Sequence, residues 1–315
     1  MTADEVLAGV VAGEHRAIAR AISMVEARGP EGRRVAAELH PRTGRAWRVG
    51  VTGAPGAGKS TLVGALLRPV RAGGWRVGVV AVDPTSPFTR GAVLGDRIRL
   101  GEHALDPGVF IRSMASRGRA GGLAEAASDA VLVLDAAGFD VVLVETVGAG
   151  QGEVEVRALA ETVVLALMPG AGDGVQAMKA GLMEIPDVIA VTKADRPGAD
   201  ALAAELASAL SLAPAGPWEP PVVRTRALQE GGADALWQAV RDHRRFLSEP
   251  GRLDARRREG LARELGALAV ERLRLRVAGG SGAARLDELV DEVLARRIDP
   301  ATAVDRLVAR ATEPG

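Results

Sequence analysis

The residues best suited to phosphate chemistry form one glycine-rich segment near the start of the chain. It matches the pattern G-x-x-x-x-G-K-[ST]. A short apolar stretch precedes it, and a predicted helix that begins at Thr61 follows it. The segment reads Gly53, Ala54, Pro55, Gly56, Ala57, Gly58, Lys59, Ser60. Its glycines would let backbone N–H groups face a phosphate, Lys59 would reach the β- and γ-phosphates, and the Ser60 hydroxyl would bind Mg²⁺. This pattern predicts a nucleoside-triphosphate site without naming the base.

Two carboxylates end predicted strands farther along the chain. Asp83 closes the stretch from Gly78, and Glu145 closes the apolar run after Asp140. Because ligands of doubly wound sheets bind beyond the carboxyl ends of the strands, both side chains should face the glycine-rich loop. We expect Asp83 and Glu145 to serve catalysis and Mg²⁺ binding, Glu145 in the Walker B role. Asp140 begins its strand and should lie at the opposite end.

Two more residues are candidates for contacts around the γ-phosphate. Asp96 lies in the segment 84–99, which is rich in Pro, Gly, Ser and Thr and resembles a lid over the phosphates. We expect Asp96 to join the catalytic and metal-binding acids. Gly148 follows Glu145 closely, and its backbone N–H is placed to sense the γ-phosphate as a switch-loop glycine does.

A base-recognition turn is predicted at Thr192-Lys193-Ala194-Asp195, directly after an apolar strand. Guanine-specific proteins use Asn-Lys-x-Asp here, because the aspartate accepts both the ring N–H and the amino group of guanine. Thr192 replaces the asparagine and cannot reproduce both functions of an amide. After the next strand, Ala227 and Leu228 occupy the place of a further guanine contact, which the Ala227 N–H would make.

Lysine is rare in this chain, with three among forty basic residues. Lys59 and Lys193 belong to the two segments above, and Lys179 closes a glycine-rich stretch that begins at Pro169 and includes Asp173. Lysine is a compact charge on a thin stem, whereas arginine is a wide fork. Lysine is therefore expected where the fork would not fit, although composition bias would also explain Lys179.

Composition excludes several classes of function. The chain has 315 residues, no cysteine and a net charge of zero. Disulfides, thiolate metal sites and cysteine nucleophiles are thereby ruled out, and no electrostatic footprint for nucleic acid is present. Neither a signal-like start nor a long uncharged apolar run occurs, so we expect a cytoplasmic protein without a membrane span.

The order of elements predicts an α/β fold, a P-loop NTPase core with a mostly parallel sheet between a helical N-terminal extension and a helical C-terminal tail. The expected division is 1–44, 45–248 and 249–315. Strands are predicted at 47–53, 76–83, 108–112, 140–146, 161–168, 187–192 and 221–226. Helices are predicted at 3–28, 31–39, 230–249, 252–277, 285–297 and 299–311, with Gly279–Gly282 as a flexible turn.

The combined motifs closely resemble the MeaB family, whose human counterpart is MMAA and whose older names are ArgK and LAO/AO transport kinase. The resemblance covers about residues 5–300 and rests on five segments. These are Val82–Ser86, Leu94–Asp96, Val144–Gln151, Met168–Asp173 and Thr192–Asp195. It implies a SIMIBI-class GTPase that uses GTP, GDP and Mg²⁺. It also implies a chaperone that loads adenosylcobalamin into methylmalonyl-CoA mutase and protects that enzyme.

The same resemblance implies further roles. Asp173 and Lys179 would belong to a switch that couples nucleotide state to the mutase, an adenosyltransferase would be an additional partner, and the C-terminal helices would form a homodimer. Packing of that tail on its own domain is the plainer alternative. Other functions also stay open: an ATP-dependent small-molecule kinase, a nickel-insertion GTPase, or an interaction module with an inactive site. The nickel hypothesis is disfavoured because the chain lacks cysteine and its four histidines are widely spaced.

Overall fold

A seven-stranded sheet forms the centre of the computed structural model. The model describes residues 1–27, 29–83, 103, 105–115, 122–146, 152–170, 185–212, 214 and 216–312. Its strands are β1 (Trp47–Thr52), β2 (Val77–Asp83), β3 (Val109–Ala115), β4 (Val141–Glu145), β5 (Thr162–Leu167), β6 (Val188–Val191) and β7 (Val222–Arg224). Their order is β3-β2-β4-β1-β5-β6-β7, and every neighbouring pair is parallel. The predicted parallel α/β sheet is confirmed.

Helices cover both faces of the sheet. The described α-helices are α1 (Ala3–Val11), α2 (His15–Glu26), α3 (Pro30–Leu39), α4 (Lys59–Ala72), α5 (Gly122–Ala136), α6 (Gly152–Leu159), α7 (Ala199–Ser211), α8 (Asp234–Leu247), α9 (Arg252–Ala278), α10 (Gly280–Leu294) and α11 (Pro300–Thr312). Helices α1–α3 share one apolar cluster with α5, and α4 and α8 share a second cluster on the other face. Because both faces are covered, strands β4 and β5 are buried at every position, as their unbroken apolar runs predict.

Two predicted helix boundaries are wrong. The expected single helix over 3–28 is two helices, α1 and α2, because Gly13 turns the chain with a φ of 75°. The expected flexible turn at Gly279–Gly282 is shorter, since Gly279 alone is extended and α10 begins at Gly280 rather than at residue 285. Gly282 lies inside α10, where a Cβ atom would come within 2.0 Å of the Arg276 carbonyl oxygen. The glycine there permits close approach to the preceding helix.

A buried ionic cluster joins α9 to the amino-terminal edge of the sheet. The Asp187 carboxylate accepts hydrogen bonds from Arg157 Nη1 at 3.0 Å and from the Val163 N–H at 2.8 Å. Arg256 of α9 lies 3.6 Å from the same carboxylate, and His243 Nε2 lies 3.5 Å from it. The attachment of α9 to the sheet therefore depends on charges removed from water, which cost free energy unless each is paired.

Burial lowers the pKa of His243 to about 4, since desolvation of the imidazolium outweighs the attraction of Asp187, and Arg256 and Arg157 lower it further. An unfolded histidine titrates near 6.5, so the unfolded chain binds the proton first as pH falls. Protonation of His243 therefore does not lower the free energy of unfolding above about pH 6.5. Below that value the free energy of unfolding decreases as the pH falls towards 4. We expect this one group to remove about 2 kcal/mol of unfolding free energy between pH 7 and pH 5.

Urea unfolding at the two pH values, for the natural chain and for His243→Gln, measures this contribution. The variant cannot take up the proton, so its loss of stability on acidification should be about 2 kcal/mol smaller. Equal losses in the two proteins would contradict the assignment of a neutral, buried imidazole.

Candidate nucleotide-binding cleft

A cleft of about 1090 Å³ opens at the carboxyl ends of the central strands. The loop from β1 to α4 forms its floor, Glu145 and Lys193 line it from the ends of β4 and β6, and the segment before α8 closes one side. Parallel strands place their carboxyl ends at one edge, so residues distant in sequence meet here. The position and size suit a small-molecule ligand.

The backbone of the loop after β1 requires glycine at specific points. Gly53 has a φ of 138°, and a Cβ atom there would lie 2.2 Å from the Ala166 carbonyl oxygen of β5. Gly58 has a φ of 84° and caps α4 in the left-handed conformation. Side chains at either position would be strained. The loop therefore presses against β5 and delivers the N-terminus of α4 to the cleft, where the helix dipole favours an anion.

Lys59 is the first residue of α4, and its side chain is folded back over the loop. Its ammonium group donates to the carbonyl oxygens of Gly53 at 2.8 Å and Ala54 at 3.1 Å. The side chain lines the cleft although it is only 8% exposed. Lys59 thus places its ammonium group, largely shielded from water, beside the loop. Phosphate oxygens of a bound nucleotide would replace the two carbonyl oxygens as its acceptors.

The hydroxyl and carboxylate predicted to lie together do so. Ser60 Oγ donates to Glu145 Oε1 at 2.6 Å. Asp83 is the last residue of β2, the strand beside β4, where Ala81 pairs with Glu145. Asp83 therefore ends its strand at the same edge. Asp140 lies at the opposite end, where its carboxylate accepts the Arg76 N–H at 2.7 Å.

Thr192 has a role in the structure that its replacement of asparagine did not suggest. Its side chain is buried, and its hydroxyl lies 2.6 Å from the Ala57 carbonyl oxygen and 3.0 Å from that of Leu167. A hydroxyl carries one hydrogen, so it donates to one oxygen at a time, and Ala57 offers the shorter contact. Thr192 thus fastens the end of β6 to the phosphate loop. The neighbouring Lys193, with a φ of 51°, donates to the Gly56 carbonyl oxygen at 2.8 Å.

Replacing Thr192 with valine should loosen this contact while preserving the shape of the side chain. The Ala57 carbonyl would lose a buried partner, at a cost of about 1–3 kcal/mol of stability. We also expect GDP to bind roughly tenfold more weakly, because the loop would be less well positioned. Urea unfolding and GDP titration measure the two effects. Thr192→Ser keeps the hydroxyl and is the matched control; a valine variant as stable and as tight-binding as the natural chain would contradict the role.

The other base-recognition candidates lie on two adjoining turns. Asp195 is exposed, and the turn before it is tied to the end of β7 by the Ala194 N–H, which donates to the Thr225 carbonyl oxygen at 3.0 Å. Ala227 and Leu228 line the cleft, and Leu228 is 91% exposed. Ala227, Leu228 and Lys193 thus line one side of the cleft, whereas Asp195 follows Lys193 on the exposed part of the turn and is not among the lining residues.

Sequence reasoning missed part of the cleft wall. His103, Arg68 and the turn from Gln229 to Asp234 also line it. Arg68 of α4 forms an exposed ion pair with Glu230 at 2.8 Å across the opening. The adjacent glycines Gly231 and Gly232 were a usable sequence signal for a tight turn, and in the structure a Cβ atom at Gly232 would come within 1.9 Å of the Arg226 carbonyl oxygen. Asp96, the segment 84–99, Gly148, Asp173 and Lys179 lie outside the described residues.

Comparison with known proteins identifies the family to which this chain belongs. The model of a family described as the methylmalonyl Co-A mutase-associated GTPase MeaB matches residues 18–281. The chain belongs to the MeaB family. Among relatives, it is 47% identical over 309 residues to a protein of Pyrococcus abyssi that is named as a GTPase, covering 97% of this chain and 95% of that one. The GTPase ArgK of Escherichia coli is 38% identical, with 78% and 77% covered.

MeaB-family membership agrees with the structure. A solved structure described as a LAO/AO transport system kinase superposes with a TM-score of 0.75 at 28% identity, covering 99% of this chain and 98% of that one. The mouse mitochondrial methylmalonic aciduria type A homolog is 33% identical, with 81% of this chain and 66% of the relative covered. The chain is thus a P-loop GTPase of the SIMIBI type that binds guanine nucleotide. In the described part of the chain, no helix has the length and apolar character needed to cross a membrane.

Proposed function

We propose that this GTPase is a chaperone that assists the loading of adenosylcobalamin into methylmalonyl-CoA mutase, or a related acyl-CoA mutase, and protects that enzyme. The match of residues 18–281 to the family described as mutase-associated is the observation that carries the proposal. An adenosyltransferase is proposed as a further partner, and the protein is proposed to act in the cytoplasm.

The phosphate end of the cleft supplies the catalytic groups in this proposal. Lys59 would leave the carbonyl oxygens of Gly53 and Ala54 and neutralise charge that develops on the β- and γ-phosphates during attack by water. The backbone of residues 53–58 and Thr61 would hold the phosphates in line. These contacts position the substrate and stabilise charge, which is most of what a protein contributes to phosphoryl transfer.

The oxygen donors near the phosphates fit Mg²⁺. Ser60 and Glu145 are already 2.6 Å apart and are hard oxygen ligands, the type that this ion prefers. We propose that Ser60 holds the ion directly and that Glu145, with Asp83 and Asp96, acts around it. When bound, Mg²⁺ would neutralise phosphate charge.

The base end of the cleft is proposed to select guanine. Asp195 would accept the two N–H groups on one edge of guanine, and the Ala227 N–H, beside Leu228, would contact the base oxygen. Lys193 would lie along the ring, and Thr192 would act beneath the phosphate loop. Gly148, Asp173 and Lys179 are proposed to report the nucleotide state to the mutase.

The helical tail is proposed to form a homodimer as part of a division into 1–44, 45–248 and 249–315. Apolar side chains on one face of α9 support this, because Leu261, Leu265 and Leu275 share that face and are 55%, 58% and 39% exposed. Exposed apolar residues that follow one helix are typical of interaction surfaces. Neither the kinase alternative nor the nickel alternative is favoured by the relatives from Pyrococcus abyssi and Escherichia coli, which are named as GTPases.

Co-purification with candidate mutases tests the proposal. Tagged protein would be mixed with purified methylmalonyl-CoA mutase in the presence of a non-hydrolysable GTP analogue, of GDP, or of no nucleotide. We expect a stable complex whose amount depends on the nucleotide. The same assay with an isobutyryl-CoA mutase identifies the client. Absence of a complex with either mutase in every nucleotide state would contradict the chaperone function while leaving GTP hydrolysis intact.

A further inference from the structure

A second cavity lies at the edge of the sheet opposite the nucleotide cleft. It measures about 470 Å³ and opens between the second half of α8 and the segments that lead into β1, β2 and β4. Arginine dominates its lining, with Trp75 as the aromatic wall and Asp140 as the carboxylate. The four arginines are Arg45, Arg241, Arg244 and Arg245. We call this cavity the arginine pocket.

Most of the positive charge in the arginine pocket is not neutralised within the described residues. Arg245 pairs with Asp242 at 2.9 Å, whereas Arg241 donates to the neutral amide oxygen of Gln238. Among the described residues, no ion pair is formed by Arg45, Arg241 or Arg244. Asp140 reduces the excess charge only partly, and its carboxylate already accepts the Arg76 N–H at 2.7 Å. Several like charges held together without counter-charges repel one another, which an anion would relieve.

Arg244 is held in a defined orientation. Its guanidinium group lies over the rings of Trp47, at 4.9 Å, and Trp75, at 5.3 Å. A guanidinium stacked on aromatic rings has fewer orientations available, and its N–H donors point outward along its rim. Less conformational entropy is then lost when these donors bind a ligand.

Stabilisation of a helix end does not account for the cluster. Arg244 and Arg245 lie in the last turn of α8, where cations favour the helix dipole. Arg241 lies farther from that end, and Arg45 comes from the segment before β1. The cavity is thus lined by arginines from two separate segments. The dipole of α8 accounts for the two in its last turn but not for Arg241 and Arg45.

From these observations we infer that the arginine pocket binds the phosphate group of a small phosphorylated molecule. Planar guanidinium forks bind phosphate oxygens in pairs, and three forks without carboxylate partners suit a multiply charged anion. The volume lies in the range of small-ligand sites, about 300–1000 Å³. This site is separate from the cleft that holds the guanine nucleotide and does not depend on the mutase.

Calorimetric titration of inorganic pyrophosphate into protein saturated with GDP tests the inference. Saturating GDP fills the phosphate loop, so further binding reports another site. Arg45→Gln and Arg241→Gln each remove one fork, and both side chains are exposed, so neither change should unfold the protein. We expect each to weaken pyrophosphate binding about tenfold. Arg33→Gln, which removes an exposed arginine of α3, is the matched control and should bind like the natural chain.

Adenosine diphosphate is a second probe that distinguishes an organic phosphate from inorganic phosphate. Tighter binding of ADP than of pyrophosphate would indicate an organic phosphate whose ring adds contacts, and equal binding would indicate recognition of phosphate alone. Two results would overturn the inference. One is that neither probe binds the GDP-saturated protein. The other is that binding persists unchanged in the Arg45→Gln and Arg241→Gln double variant, because the heat would then arise elsewhere.

Discussion

Replacing Lys59 with alanine should lower the turnover number for GTP hydrolysis by about 100- to 1000-fold or more. The ammonium group is nearly buried and donates to the carbonyl oxygens of Gly53 and Ala54, in the loop that is proposed to hold the phosphates. Its loss would leave charge on the β- and γ-phosphates without its nearest fixed counter-charge. Lys59→Arg should also be impaired, because a wide fork does not fit where the thin lysine stem passes over the loop.

Steady-state phosphate release at saturating GTP measures this effect, and thermal unfolding shows whether the variants remain folded. Arg33→Gln again controls for the removal of one positive charge at a distant, exposed site. A folded Lys59→Ala protein that hydrolyses GTP at the natural rate would contradict the assigned role.

Replacing Asp195 with asparagine should exchange guanine preference for xanthine preference. In its proposed role the carboxylate would accept two N–H groups of guanine, whereas an amide presents one acceptor and one donor. Xanthine carries a carbonyl in place of the amino group of guanine, so its edge matches the amide. We expect GTP to bind at least about 100-fold more weakly and XTP to gain by a comparable factor, since mispaired polar groups are costly.

Competition between labelled GDP and unlabelled GTP, XTP or ATP measures this exchange. Asp200→Asn is the matched control, because Asp200 is an exposed carboxylate on α7, beyond the recognition turn. Unchanged preference for GTP in Asp195→Asn would show that the base lies elsewhere in the cleft. Preference of the natural chain for ATP over GTP would contradict a guanine-selective site.

The sequence predicted those parts of the cleft that depend on local patterns. The loop at 53–60 follows a fixed spacing, and unbroken apolar runs such as Val141–Val144 indicate strands buried on both faces. Parallel pairing then brings strand ends together, so Ser60 and Glu145 could be expected to meet although 85 residues separate them. Such patterns can be recognised within a single segment, because each reflects a physical requirement of the local structure.

Features that depend on contacts between segments could not be predicted in the same way. From the sequence Thr192 is an incomplete substitute for asparagine, and only the fold brings its hydroxyl to the Ala57 carbonyl oxygen. Gly13 separates α1 from α2 although the apolar periodicity continues through it. The arginine pocket was also hidden, because Arg45 and Arg241 are far apart in a chain in which arginine is common everywhere.

The rate of GTP hydrolysis with and without purified methylmalonyl-CoA mutase tests the central claim most directly. The described part of the cleft holds groups that are proposed to bind phosphate, and we identify no general base among them. We therefore expect slow hydrolysis by the protein alone and an acceleration of at least about tenfold when the mutase is added. Rapid hydrolysis by the protein alone, unchanged by the mutase, would contradict a nucleotide cycle that is coupled to this client.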